Sequence, residues 1–168
     1  INPQYKHSEF ASISNKTKDI YLTNDEIDKV FNHDFSHSER LDNTRDNFII
    51  GLRTGLRVGD FLRLKQTDIV GEFIEITTAK TDFEVIIPMH QQIKDILQKR
   101  NGNFPRQITD VKFNEYVKDV CKIVGFTEMV EGAKMINKKD EKDFFAKSNV
   151  ELKYKTRKQY CVFPKQEL

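Results

Sequence analysis

Arg57 and Asp60 stand three residues apart in the stretch LRTGLRVGD (residues 52–60), just past a glycine that interrupts an apolar helical pattern. An ordinary core junction favours an uncharged residue there. At such a break the backbone can approach a ligand closely, and the first N–H groups of the following helix are suited to an anion. The plainer reading is a helix-terminus ion pair between Arg57 and Asp60. Lys80 is a second charge at a break, in AKTD (residues 79–82) between two β-branched runs. A turn lysine alone ordinarily serves solubility.

The surrounding pattern supplies elements to position these residues. In YLTNDEI (residues 21–27), Thr23 and Glu26 form a capping box, Asp25 favours the positive helix end, and Leu22 can staple onto Ile27. That helix is expected to reach about Asn32. A second is expected over residues 41–53 with Phe48, Ile49 and Leu52 inward, and a short third over residues 58–64. The period then changes. Residues 69–78 and 83–88 alternate β-branched residues with Glu and Thr, which predicts two or three short antiparallel strands with Lys80 near the turn. Ile93, Ile96 and Leu97 mark a further helix over residues 90–99, and Thr109 caps a last one that Gly125 terminates. Strand character is expected near residues 150–154, and residues 1–19 read as a linker or arm.

Composition sets the class. The chain has 168 residues, 38% hydrophobic, enough for one domain with a core. A net charge of +2 permits a polyanionic partner without arguing for one. Cys121 and Cys161 share no metal-ligand spacing with each other or with the four histidines, so both read as reduced thiols in a cytoplasmic protein. Cys121 falls among Tyr116, Val117, Val120 and Val124, where burial as a small hydrophobe explains it. No signal peptide and no membrane-spanning apolar run is recognisable. A start at Ile rather than Met suggests a piece of something longer.

The block LRTGLRVGDFLRLKQTDI, with Thr54-Gly55-Leu56-Arg57, Asp60, Leu62, Leu64, Asp68 and Ile69 in order, resembles the first-arginine signature of tyrosine recombinases, the phage-integrase and Xer-like family. YLTNDEI and TTAKTDFEVIIPM are similar to parts of the same catalytic domain, and QITDVKFNEYVKDVCKIVGF resembles the following helix in integrases of Bacteroidetes-type mobile elements. The resemblance covers roughly residues 20–126. It implies a mainly α fold with a small antiparallel sheet, an incomplete DNA breaking-rejoining catalytic domain over residues 20–168. It also implies that a tyrosine attacks a DNA phosphodiester, forms a 3′-phosphotyrosyl bond and releases a 5′-hydroxyl that rejoins strands. Arg57 would hold the phosphate oxygens, Lys80 would protonate the leaving oxygen, and Asp60 would orient the site. No metal or cofactor is implied, since arginines, a lysine and imidazole take that role. The implied partner is double-stranded DNA, bound by a tetramer on synapsed duplexes in a full-length bacterial cytoplasmic, nucleoid-associated protein.

The departures carry their own expectations. After the helix ending near Val124 the family has a His-x-x-Arg block, a further His or Trp, and the nucleophile; no such block follows here, and the last histidine is His90. Neither Tyr154 nor Tyr160 can therefore be assigned as nucleophile. The chain is expected to be inactive in cleavage and monomeric by itself, with a non-catalytic DNA-binding or regulatory module as the alternative. Lys112, Asn114 and Lys118 either form a DNA-facing side of the fifth helix, where Asn can read adenine and Lys phosphate or guanine, or a plain solvated face. The runs at Lys138-Lys139 and residues 153–158 admit the same two readings.

Overall fold

A computed structural model describes residues 21–136 and 139–146. Five helices and five strands are among them: α1 (Asn24–Asn32), α2 (Glu39–Thr54), α3 (Val58–Phe61), β1 (Ile69–Val70), β2 (Phe73–Thr77), β3 (Glu84–Pro88), α4 (Gln91–Lys99), α5 (Asp110–Val124), β4 (Met129–Ile136) and β5 (Lys139–Ala146). The architecture is mixed α and β, with β1-β2-β3 an antiparallel sheet and β4-β5 a separate antiparallel pair.

Helix α1 starts where the sequence places it. Thr23 accepts from the Glu26 amide while the Glu26 carboxylate accepts from the Thr23 amide at 2.8 Å, so two orphan donors are satisfied. Leu22 and Ile27 are both buried in the same core.

Helix α2 is the central element, buried along nearly its whole length and packed by α1, α3, α4 and α5. Its interior includes polar groups, and each has a partner. Asn43 exchanges two bonds with the backbone of Arg106, at 2.9 and 2.7 Å. Fully buried Asp46 pairs with Arg45 at 2.6 Å and with Arg100, the C-cap of α4, at 2.7 Å. Asp42 joins Lys99 and Arg100 in the same network. Burial raises the Asp42 pKa, but the Lys99 bond and the charges of Lys99, Arg45 and Arg100 outweigh that and hold it below the ordinary value.

Two expected bounds shift. α2 begins at Glu39, ahead of the first apolar residue, because Ser38 is already extended and its carbonyl accepts the Asp42 amide. α3 is a single turn, shorter than the apolar pattern suggests. Gly55 ends α2 in the left-handed region at φ 65°, as an αL cap requires. Gly51 meets a different need: a Cβ there would lie 2.7 Å from the Phe61 ring, so its hydrogen lets α3 press onto α2. Phe61 then meets Phe113 of α5 edge to face, with centroids 5.3 Å apart.

The β4-β5 pair was not expected. MVEGAKMI and KDEKDFFA mix charge and glycine into the alternation, so their strand character is weak as text. The expected strand near residues 150–154, the arm at 1–19, Lys138, Tyr154, Tyr160, Cys161 and the run at 153–158 lie outside the described residues.

Candidate functional site

Arg57 is the N-cap of α3, in extended conformation at φ −66° and ψ 152°, and is half-buried. Its carbonyl takes the amides of Asp60 and Phe61 at 2.8 and 3.0 Å. Its guanidinium has no ion pair or hydrogen bond among the described residues. The ion pair with Asp60 offered by the plainer reading is not formed. A one-turn helix also develops little dipole, so the anion-binding backbone expected after Gly55 is reduced to the arginine itself.

Asp60 is 2% exposed. Its Oδ1 accepts from the Ala79 amide at 2.9 Å and from Arg63 Nη2 at 3.1 Å. Arg63 Nη2 also donates to the Thr77 carbonyl at the end of β2. One carboxylate thus ties α3 to the turn, and one guanidinium ties the carboxylate to the strand entering that turn.

The turn is fixed from within as well. The Thr78 amide donates to the Phe83 carbonyl and the Asp82 amide to the Thr78 carbonyl, both at 2.9 Å. Thr78 and Thr81 hydroxyls share a bond of 2.8 Å, and the Phe83 amide donates to the Thr78 hydroxyl at 3.3 Å. Asp82 adopts φ 50°, tolerated by a short polar side chain. Lys80 is exposed on this braced loop. The covalent and bonded route from Arg57 to Lys80 is therefore short: Arg57, Val58, Gly59, Asp60, across one hydrogen bond to Ala79, then Lys80.

The remaining expected residues are on α5. Lys112 is exposed, while Asn114 and Lys118 are half-buried. At about 100° per residue, Asn114 and Lys118 are neighbours on one flank, whereas Lys112 lies roughly 160° from Asn114. Asn114 and Lys118 therefore share a flank that Lys112 does not. Core residues Phe113, Val117, Val120, Cys121 and Val124 hold the sector between, so the flanks are separated by packing. The Asn114 Oδ1 atom is buried without a partner. Cys121 is 1% exposed and burial pushes its thiol up to about 12, as an inert hydrophobe requires.

A His-x-x-Arg spacing does occur ahead of Arg57, at His37 and Arg40. Arg40 pairs with Asp119 at 3.3 Å and stands 4.4 Å from the Tyr116 ring centroid, while His37 lies against Phe35. It serves the α2–α5 surface. Sequence reasoning also passed over Arg63, although its spacing of three from Asp60 was a readable signal.

Among the described residues no group of three His, Cys, Asp or Glu is placed to hold a metal ion, and no helix is long and apolar enough to cross a membrane.

No protein-family model matches the chain, and no curated protein matches it significantly. Solved structures do. A lambda integrase tetramer bound to a Holliday junction is 22% identical with a TM-score of 0.50, over 68% of this chain and 38% of that one. The lambda integrase catalytic core is 21% identical with a TM-score of 0.48, over 76% of this chain and 77% of that one. XerA recombinase is 18% identical with a TM-score of 0.48, over 72% of this chain and 48% of that one. The chain thus spans 38% of the length of the first. Its small antiparallel sheet and surrounding helices share the mixed α and β fold of part of the lambda integrase chain.

Proposed function

We propose that this chain holds a phosphate of double-stranded DNA between Arg57 and Lys80, as the first half of the catalytic domain of a tyrosine recombinase. The observation that carries the reading is the division of labour around Asp60. Its carboxylate is occupied by Arg63 and fixes the turn of Lys80, while the Arg57 guanidinium keeps its donors. A guanidinium fork binds two non-bridging oxygens at once, which a lysine there could not do. Lys80, exposed on a braced turn, suits proton delivery to a leaving 5′-oxygen. Asp60 orients both through the backbone.

The solved lambda integrase tetramer of similar fold is bound to a Holliday junction, which supports DNA as the partner and a tetramer as the working assembly of the full-length protein. In that protein a tyrosine outside the assigned residues forms the 3′-phosphotyrosyl bond, so this chain by itself binds without cleaving. The finer assignment to Xer-like integrases of Bacteroidetes-type mobile elements, acting in the cytoplasm at the nucleoid, rests on the residue resemblance. Residues 1–19 serve as the linker in this reading. Asn114 and Lys118 on one α5 flank and Lys112 on the other are secondary DNA contacts.

A second reading is a DNA-binding or regulatory module that never cleaves, with Arg57 and Lys80 as phosphate holders only. A covalent DNA adduct formed by the full-length protein would exclude it, and its failure to form where Arg57→Ala lowers affinity would favour it.

The test is the salt dependence of duplex DNA affinity by fluorescence anisotropy. Arg57→Ala and Lys80→Ala are each expected to lower the slope of log affinity against log salt by about one, with the melting transition retained. Unchanged slopes in folded variants would remove both residues from the phosphate.

A further inference from the structure

Asp60 has an arginine three residues to either side, Arg57 and Arg63, and on a helix a carboxylate can reach either. The structure shows which it takes. Arg63 donates to Asp60 at 3.1 Å and, through the same nitrogen, to the Thr77 carbonyl. Arg57, extended at the N-cap, makes no side-chain cap bond. A carboxylate that is 2% exposed and short of a cation would draw a free guanidinium, and Arg57, three residues away in sequence, carries one.

We infer that Arg63 is a positioning residue that sequesters the Asp60 charge and so keeps Arg57 available for an anionic ligand. This deepens the proposed function and rests on Arg57 being a phosphate holder. Two features make Arg63 the better partner. Its Nη2 bridges Asp60 and the Thr77 carbonyl together. It is also about one-third exposed, so its own desolvation cost is modest, although its Nε is buried without a partner. Loss of Arg63 then has a specific consequence beyond a looser hairpin: Asp60 captures Arg57, and the anion site closes on itself.

The experiment compares Arg63→Gln, Arg63→Lys, and Arg63→Gln with Asp60→Asn, each with and without Arg57→Ala, for duplex DNA affinity. Arg63→Gln is expected to weaken binding about tenfold, the scale of one lost charged contact, and adding Arg57→Ala should then cost nothing more. Asp60→Asn should restore binding in the Arg63→Gln background, because an amide still accepts from Ala79 but cannot hold Arg57 by charge. Arg63→Lys should retain most of the affinity.

Failure of Asp60→Asn to restore binding, or an Arg63→Lys variant as weak as Arg63→Gln, would make Arg63 a hairpin brace and overturn the inference. If Arg57→Ala alone leaves affinity unchanged, the phosphate reading fails instead. In that case the Arg57 Nε–H resonance still decides the inference without DNA. It should shift on Arg63→Gln and return with Asp60→Asn; a resonance indifferent to both substitutions contradicts capture.

Discussion

At the residue scale the central group is Asp60, whose carboxylate holds the Ala79 amide and Arg63 together. Replacing it with alanine takes an acceptor from the Ala79 amide and from the Arg63 guanidinium. Asp60→Ala is expected to cost roughly 2–4 kcal/mol in urea unfolding, with faster hydrogen exchange at Ala79. A loss under about 0.5 kcal/mol would mean that the clasp contributes little. His90 offers a pH-dependent counterpart. Its Nδ1 accepts from the Gln92 amide at 3.2 Å as the N-cap of α4, so the cap needs a neutral ring. Burial first, then the Arg53 charge, hold its pKa below the ordinary value, against smaller opposite effects of Asp28 and Asp95. For a histidine depressed in the fold, stability is fully present above the unfolded value of about 6.5 and is lost as pH falls toward the folded value. His90→Asn keeps a capping side chain that does not titrate. Wild type should lose stability relative to this variant as pH falls from about 6.5, and parallel profiles would exclude the cap as the cause. Legibility was uneven here: Arg57 and Asp60 were readable as a pair, but not that Asp60 would choose Arg63. That choice depends on the Thr77 carbonyl, supplied by a strand fourteen residues away.

At the element scale, junctions decide the geometry. Gly51 admits Phe61 against α2, and Phe61 carries α3 with Arg57 and Asp60. Gly51→Ala is expected to cost about 1–3 kcal/mol, because the ring and not a flexible chain end blocks the methyl. Phe61→Leu in the Gly51→Ala background should recover part of that loss. Thermal melts of the two variants check this, and an additive double variant would place the strain elsewhere. The caps, the period change at Ile69 and the glycine stops were all legible, since each depends on local chemistry: Thr23 with Glu26, Gly55 and Gly125 in the left-handed region. The β4-β5 pair was not, because its ladder forms between two charged segments whose pairing no local periodicity announces. The layout of the α5 surface was hard to read for a different reason. Lys112, Asn114 and Lys118 are close in sequence, yet a helical step of about 100° sends Lys112 to the far flank.

For the whole molecule, one apolar core gathers α1 to α5 with the inner face of the sheet, Ile74 and Ile76. This arrangement turns a short bonded route into a site. The buried α2 stays rigid through its Asp42, Arg45, Asp46, Lys99 and Arg100 network, and α3 and the hairpin are braced on its flank. The helices and the small antiparallel sheet were legible from hydrophobic period, whereas the proposed phosphate site rests on the resemblance carried by the order of residues 54–69. The most direct measurement is a double-mutant cycle of Arg57→Ala and Lys80→Ala on duplex DNA affinity at fixed low salt. If one phosphate sits between them, the double variant should lose about 1 kcal/mol less, or more, than the sum of the single losses. Losses that add within about 0.3 kcal/mol would place the two residues on separate phosphates and contradict a shared site.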